Sequence, residues 1–429
     1  MIDFAAPQVE LPEFYRVVQH FETSGISEVA ASVRRELEGV DWAARVTSGQ
    51  TVAVAVGSRG ICGLRDIVAE VVAALKKLDL KPFVIPAMGS HGGATADGQR
   101  GLLRELGITE ETVHAPVESS MEVVSFGKLP GGCEVFFSAD AFRADHVFII
   151  NRVKPHTAFR GEIESGLCKM LAVGCGKHHG ALAMHTHNLA VSLVPAAERI
   201  IQRARILGGL AIVEDSLDHP HTLKSAAPQD FAAVDHELLA LARRMLPRIP
   251  IDELDVLVVD EIGKNVSGAG MDPNVIGFWR RDGGERQPNF RTLIVLDITR
   301  QSHGNALGIG MADMTTRRVY DQIDFAATYT NALTSGIWAS ARMPIVMPDD
   351  LSALSAAISK VPELGTVRMA RIRNTLNLET IWVTRSVLPE LEGRPDLSID
   401  PQPVRAEFDT AGRWVPFNTK MPAFKAATT

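Results

Sequence analysis

From Thr51 to Leu78 the chain reads TVAVAVGSRGICGLRDIVAEVVAALKKL, and this stretch decides the fold class. TVAVAVG is short, apolar and rich in valine, as a buried strand is, and SRGICG supplies a turn. The apolar positions of LRDIVAEVVAALKKL recur with a helical period, which predicts a helix ending before Lys81-Pro82. Such a βα unit leads to a parallel sheet, because a parallel neighbour is reached only through a crossover. The alternation continues. PFVIPAMG reads as a strand that runs into the turn SHGGATADG and a helical GQRGLLRELG, and a third strand, HVFIINR, ends in VKPHTAFRGEIESGLCKML. LGGLAIVED is a further strand, and DFAAVDHELLALARRML is the helix that closes this half.

Beyond RIPIDEL the pattern restarts with the strands LDVLVVDEIGK and RTLIVLDIT. A chain of 429 residues exceeds one ordinary core, since single cores seldom grow past about 250–300 residues. The expectation is therefore two α/β domains with parallel or mixed sheets, residues 1–248 and 249–429, with the active site in the cleft between them. A return of the proline-rich tail after Pro389 onto the first domain is left open, as is assembly into a homo-oligomer.

Composition narrows the function. Charged residues are 22 % of the chain and hydrophobic ones 46 %, which fits an ordered globular protein. The net charge of −7 and the lack of a dense basic run argue against a nucleic-acid partner. MIDFAAPQVELPEF has no basic segment followed by an apolar one, and no long apolar run occurs, so neither export nor membrane insertion is expected and the chain is placed in the cytoplasm. Cys62, Cys133, Cys168 and Cys175 lack the spacing of a zinc or iron–sulfur site and read as reduced, mostly buried thiols.

Ligands of parallel sheets collect at the carboxyl ends of the strands, and three successive strand ends here carry Arg59, His91 and His156. GSRG, from Gly57 through Ser58 and Arg59 to Gly60, is a strand-to-helix turn whose N–H groups attract a phosphate or carboxylate. It is neither a dinucleotide fingerprint nor a P-loop. Arg59 suits a two-pronged grip on a carboxylate, although a surface pairing with a nearby acid explains it nearly as well. GSHGG places His91 between glycines that let backbone approach a ligand, and NRVKPHTAFRG puts His156 at the equivalent point of the third strand. Two imidazoles facing one gap can serve as general acid and base.

His156, His178, His179, His185 and His187 crowd one short stretch. Helix-end or solvated histidines are the plainer explanation; metal or proton chemistry is the functional one. Lys169 lies in the apolar ESGLCKML, where burial would depress its pKa and make it a nucleophile. Trp338 reads more readily as a core tryptophan than as an apolar wall of the site.

In order, GSRG, PAMGSHGGAT, NRVKPHTAFRGEIESGLCKMLAVGCGKHHGA and VDEIGKNVSG resemble the nickel-pincer-nucleotide lactate racemase family. The resemblance covers most of residues 45–270. It implies a pyridinium mononucleotide, the nickel-pincer nucleotide, whose sulfur atoms and ring carbon hold nickel. The group would be tethered covalently through Lys169, with His185 as the fourth nickel ligand and His178, His179 and His187 as competitors. It further implies His91 and His156 as the acid/base pair, with Gly57 and Ser58 beside the cofactor. Arg59 and Lys264 would hold the carboxylate and developing oxyanion of a small 2-hydroxy acid. The C2 hydrogen would leave as hydride and return to the other face, and cofactor-building proteins would be partners. The racemases that define the family carry an aspartate three residues before the arginine and a proline after it. Val56 and Gly60 stand here instead, which points to a 2-hydroxy acid other than lactate.

Two other readings compete. One is a cofactor-independent racemase or lyase that removes the C2 hydrogen as a proton, and it would incorporate solvent deuterium. The other is a non-catalytic metal- or anion-binding protein, which would bind a ligand without turnover.

Overall fold

The structure, a computed structural model, describes residues 10–23, 25–58 and 60–417. The chain divides into two compact units. Glu22–Leu246 forms the first; the second joins the residues through Phe21 to those from Pro247 onward. The latter includes β1 (Glu13–Gln19).

The first unit contains β2 (Thr51–Val56), β3 (Lys81–Pro86), β4 (Val123–Lys128), β5 (Glu134–Ser138), β6 (His146–Arg152), β7 (Ile206–Glu214) and β8 (Pro220–Ala226). Five of these make one sheet in the order β3-β2-β6-β7-β8, parallel except for the β7–β8 hairpin. Its helices are α1 (Val29–Glu38), α2 (Leu64–Lys77), α3 (Ala96–Glu105), α4 (Glu110–Val113), α5 (Ala139–Arg143), α6 (Leu167–Lys169), α7 (Lys177–Thr186), α8 (Leu189–Arg203) and α9 (Phe231–Met245).

Strand side chains alternate between two faces, and here both faces are covered, which explains the unbroken apolar runs. Val52, Val54, Val56, Phe148 and Ile150 pack with Ile67, Val68 and Val71 of α2. Ala53, Ala55 and Ile149 face the opposite core, built with Leu193 and Ile200 of α8 and Phe231 and Leu238 of α9.

The second unit adds β9 (Glu253–Val259), β10 (Asn289–Val295), β11 (Met314–Thr316), β12 (Ile345–Met347), β13 (Met369–Ile372), β14 (Thr380–Thr384), β15 (Leu397–Ile399) and β16 (Val404–Arg405). Its sheet runs β12-β11-β10-β9-β13-β14-β1-β15, with β16 also on β1. The strands from β12 to β13 are parallel, whereas β14, β1, β15 and β16 pair antiparallel. Both units are thus α/β, one with a mainly parallel sheet and one with a mixed sheet.

The structure corrects the expected domain limits at the N-terminus. Phe14 and Val17 are fully buried in the second unit's sheet, so β1 does not belong with residues 22–246. The strands of the tail, β15 and β16, pair with β1 in that same unit. Among the described residues no helix is long and apolar enough to cross a membrane.

Candidate functional site

β3, β2 and β6 are adjacent and parallel, with Val56 level with both Pro86 and Ile150. The segments Gly57–Ser58, Ala87–His91 and Val153–His156 therefore leave the sheet side by side at its carboxyl edge. Arg59 lies outside the described residues.

His91 is exposed, and its Nδ1 lies 2.5 Å from Ser58 Oγ, so the tips of two strands meet in one hydrogen bond. The glycines after it have a steric cause. Gly92 adopts φ +65°, and a Cβ there would stand 2.5 Å from the Gly98 carbonyl carbon at the start of α3. The His91 turn can lie against that helix only without a side chain.

His156 is fixed from behind. Glu164, fully buried, accepts the His156 backbone N–H at 2.8 Å through Oε2, and the Gly161 N–H and Arg243 Nη2 through Oε1. The Ala158 N–H donates to His156 Nδ1 at 3.0 Å. Because that nitrogen accepts, a neutral ring carries its proton on Nε2.

Lys169 ends α6 and leads into a π-helical turn, Met170–Gly174, a geometry common at functional sites. The start of α6 is held by Asp235, whose two oxygens accept the Leu167 and Cys168 N–H groups at 2.8 Å each. Gly166, at φ +95°, leaves the room this needs, since a Cβ there would collide with the carboxylate. Burial pushes the Asp235 carboxyl up to about 7, against the opposing pull of its backbone donors. Burial, and then the charge of Asp235, also push the Cys168 thiol up.

Lys169 itself is only partly buried, which corrects the expectation of a lysine enclosed in an apolar core. The lysine that the fold does enclose is Lys177, which is fully buried. It adopts φ +53° at the start of α7, and its Nζ donates to Pro86 O at 2.6 Å and to Gln99 Oε1 at 3.3 Å.

On α7, His178, His179 and His185 are exposed. Desolvation lowers the pKa of His185, and the Lys169 charge lowers it further. His187 instead turns its Nδ1 to Ala183 O at 3.0 Å, and His179 packs on Phe136 with ring centroids 5.5 Å apart.

The structure thus joins Ser58 to His91, and Lys169 and His185 lie in the same first unit. Gly57 packs close to Met170, the residue that follows Lys169. Lys264 belongs to the second unit, where its Nζ donates to Gly268 O at 2.6 Å and Asn331 Oδ1 at 3.2 Å. Trp338 is 70 % exposed, so it is not the core tryptophan expected.

Sequence reading missed Glu164, Asp235, Lys177, Gln99 and the pair Arg152–Glu214. The last bridges the ends of β6 and β7, and Glu214 Oε1 also accepts the Cys62 N–H at 2.9 Å, which anchors the turn after Ser58. A lysine between two glycine-rich segments, GCGKHHG, was the visible signal for Lys177. The three carboxylates act on backbone far away in sequence or turned by a loop, and no local pattern marks them.

No family model and no curated protein matches the chain. A solved structure does: the lactate racemase apoprotein from Thermoanaerobacterium thermosaccharolyticum, with a TM-score of 0.52 and 13 % identity, over 84 % of this chain and 98 % of that one. At that identity the likeness is one of fold, and the conclusion it carries is that this chain is built as that apoprotein is, from α/β architecture over nearly its whole length.

Proposed function

We propose that the chain is a racemase or epimerase of a 2-hydroxy acid other than lactate, working with a nickel-pincer nucleotide tethered at Lys169. The observation that carries this reading is that the segment following Lys169 is tied to the turn that bears His91, through the Gly89 N–H to Gly174 O bond, while His91 itself meets Ser58 at the neighbouring strand tip.

The residues fit such a group. Lys169 is only partly buried, as a lysine that carries a tethered group would be. His185 has a lowered pKa, which keeps the ring neutral as a ligand must be. Among the described residues no three His, Cys, Asp or Glu side chains cluster to hold a metal; a single imidazole suits nickel whose remaining donors arrive with the nucleotide. When bound, the group supplies a hydride acceptor, which no side chain offers.

The chain's own residues supply the proton chemistry. His91 can donate an Nδ1–H hydrogen bond to Ser58 Oγ, the tautomer in which Nε2 carries no proton and can take that of the substrate hydroxyl. His156 is assigned as its partner, the group that returns a proton to the substrate oxygen when its ring is in the imidazolium form. Arg59 is assigned to the substrate carboxylate.

Chain produced together with the cofactor-building proteins should carry a mass adduct on Lys169 and racemise or epimerise a member of a chiral panel of aromatic and sugar-derived 2-hydroxy acids. Full turnover by protein whose Lys169 is unmodified would overturn the reading. Solvent deuterium at C2 would favour direct proton removal instead.

A further inference from the structure

A fully buried ammonium is costly unless it is partnered, and a left-handed backbone at a residue with a side chain is costly as well. Lys177 combines both. It sits midway between Lys169 and His185, yet its Nζ reaches back to the carboxyl end of β3, to Pro86 O and to the side-chain oxygen of Gln99. An ammonium only donates, so Oε1 must face it and Nε2 must face away. That Nε2 donates to Gly89 O at 2.9 Å and to His91 O at 3.3 Å. Gln99 is itself fully buried on α3. From the same side, the Gly89 N–H donates to Gly174 O at 3.1 Å.

We propose that Lys177 and Gln99 form a buried positioning pair that sets the His91 backbone, and so the reach of its imidazole to Ser58, from the segment that carries Lys169 and His185. Its consequence for turnover rests on the role given to His91 above; the positioning itself does not. The pair makes the placement of His91 depend on how Lys169–His185 is folded. Burial lowers the Lys177 pKa, while the nearby Cys175 and Asp140 oppose this.

Gln99→Glu separates positioning from general stability. The new carboxylate keeps an acceptor for Lys177 and adds a charge pair, but it loses both donors to Gly89 O and His91 O. In the full chain labelled with nitrogen-15 histidine, the ring-nitrogen signals of His91, assigned by their absence in His91→Asn, should move in Q99E. Those of His156 should stay, and Tm should remain within about 3 °C of the wild type. Lys177→Met should move the same signals; if it fails to fold, Q99E alone decides. Unchanged His91 signals in Q99E would overturn the proposal, as would movement of all histidines together with a large drop in Tm. In cofactor-loaded protein kcat should fall about tenfold or more with KM nearly constant. If the His91 signals move and turnover does not, the positioning stands and the catalytic role of His91 falls.

Discussion

Ala158 donates its backbone N–H to Nδ1 of His156, two residues earlier, at 3.0 Å. That bond fixes the tautomer of the neutral ring. Nitrogen-15 shifts of the ring should therefore report a proton on Nε2, and an Nδ1–H tautomer would contradict the geometry. His156→Asn should lower kcat of the loaded protein by about 10²–10⁴-fold, the range for removing a general acid or base. The fold should survive, because the ring is only half-buried.

Asp235 makes stability depend on pH. Its carboxyl rises from an ordinary value of 3.8 to about 7 on folding, so the folded state takes up a proton in that window. The sign follows: the contribution is complete below pH 3.8 and is lost as pH rises through about 7. Urea unfolding of the wild type should give lower stability at pH 8 than at pH 5, by an order of a few kcal/mol from this group. Asp235→Asn should flatten that slope and cost about 1–3 kcal/mol at pH 5, since an amide presents a donor to one of two backbone donors. Equal pH slopes in both proteins would remove Asp235 from this role.

Gly166→Ala tests the same cap sterically. A Cβ at φ +95° would meet the Asp235 carboxylate, so a loss of roughly 2–4 kcal/mol is expected, by strain and by breaking the cap. A change within about 0.5 kcal/mol would mean that the start of α6 is held otherwise.

His185→Ala should leave the Tm of the cofactor-free chain nearly unchanged, because the ring lies at the surface. In loaded protein the same change should strip nickel while the adduct on Lys169 remains, whereas His178→Ala and His179→Ala should retain it. Nickel analysis by mass spectrometry reads all three. Retention in H185A would transfer the ligand role elsewhere. As its pKa is lowered, retention should persist below the usual histidine range and fail only on further acidification.

Much of the first unit was legible because its strands are buried on both faces and bounded by glycine turns. HVFIINR matches β6 residue for residue, and the helix after GSRG spans Leu64–Lys77 as its periodicity implied. The His91 and His156 positions followed from the strand ends. What the text could not disclose is long-range. Lys169 stands in the apolar ESGLCKML and Lys177 between the glycines of GCGKHHG, yet it is Lys177 that is enclosed, because its partners Pro86 and Gln99 are reached only where the chain has doubled back. Likewise Asp235 reads as one acid on an amphipathic helix, although its oxygens close a helix that begins at Leu167. Trp338 misled because size and apolarity suggest an interior, and its surface position is set by packing rather than composition.

Strand β1 has its partners at Thr380–Thr384, Leu397–Ile399 and Val404–Arg405, beyond everything else in its sheet. During translation it must wait, unpaired, until Thr380 has emerged. Glu22–Leu246 faces no such delay, for all its strands are contiguous in the message. Synthesis should therefore yield a finished inner body while the flanking sheet still lacks the strands that clasp its opening segment.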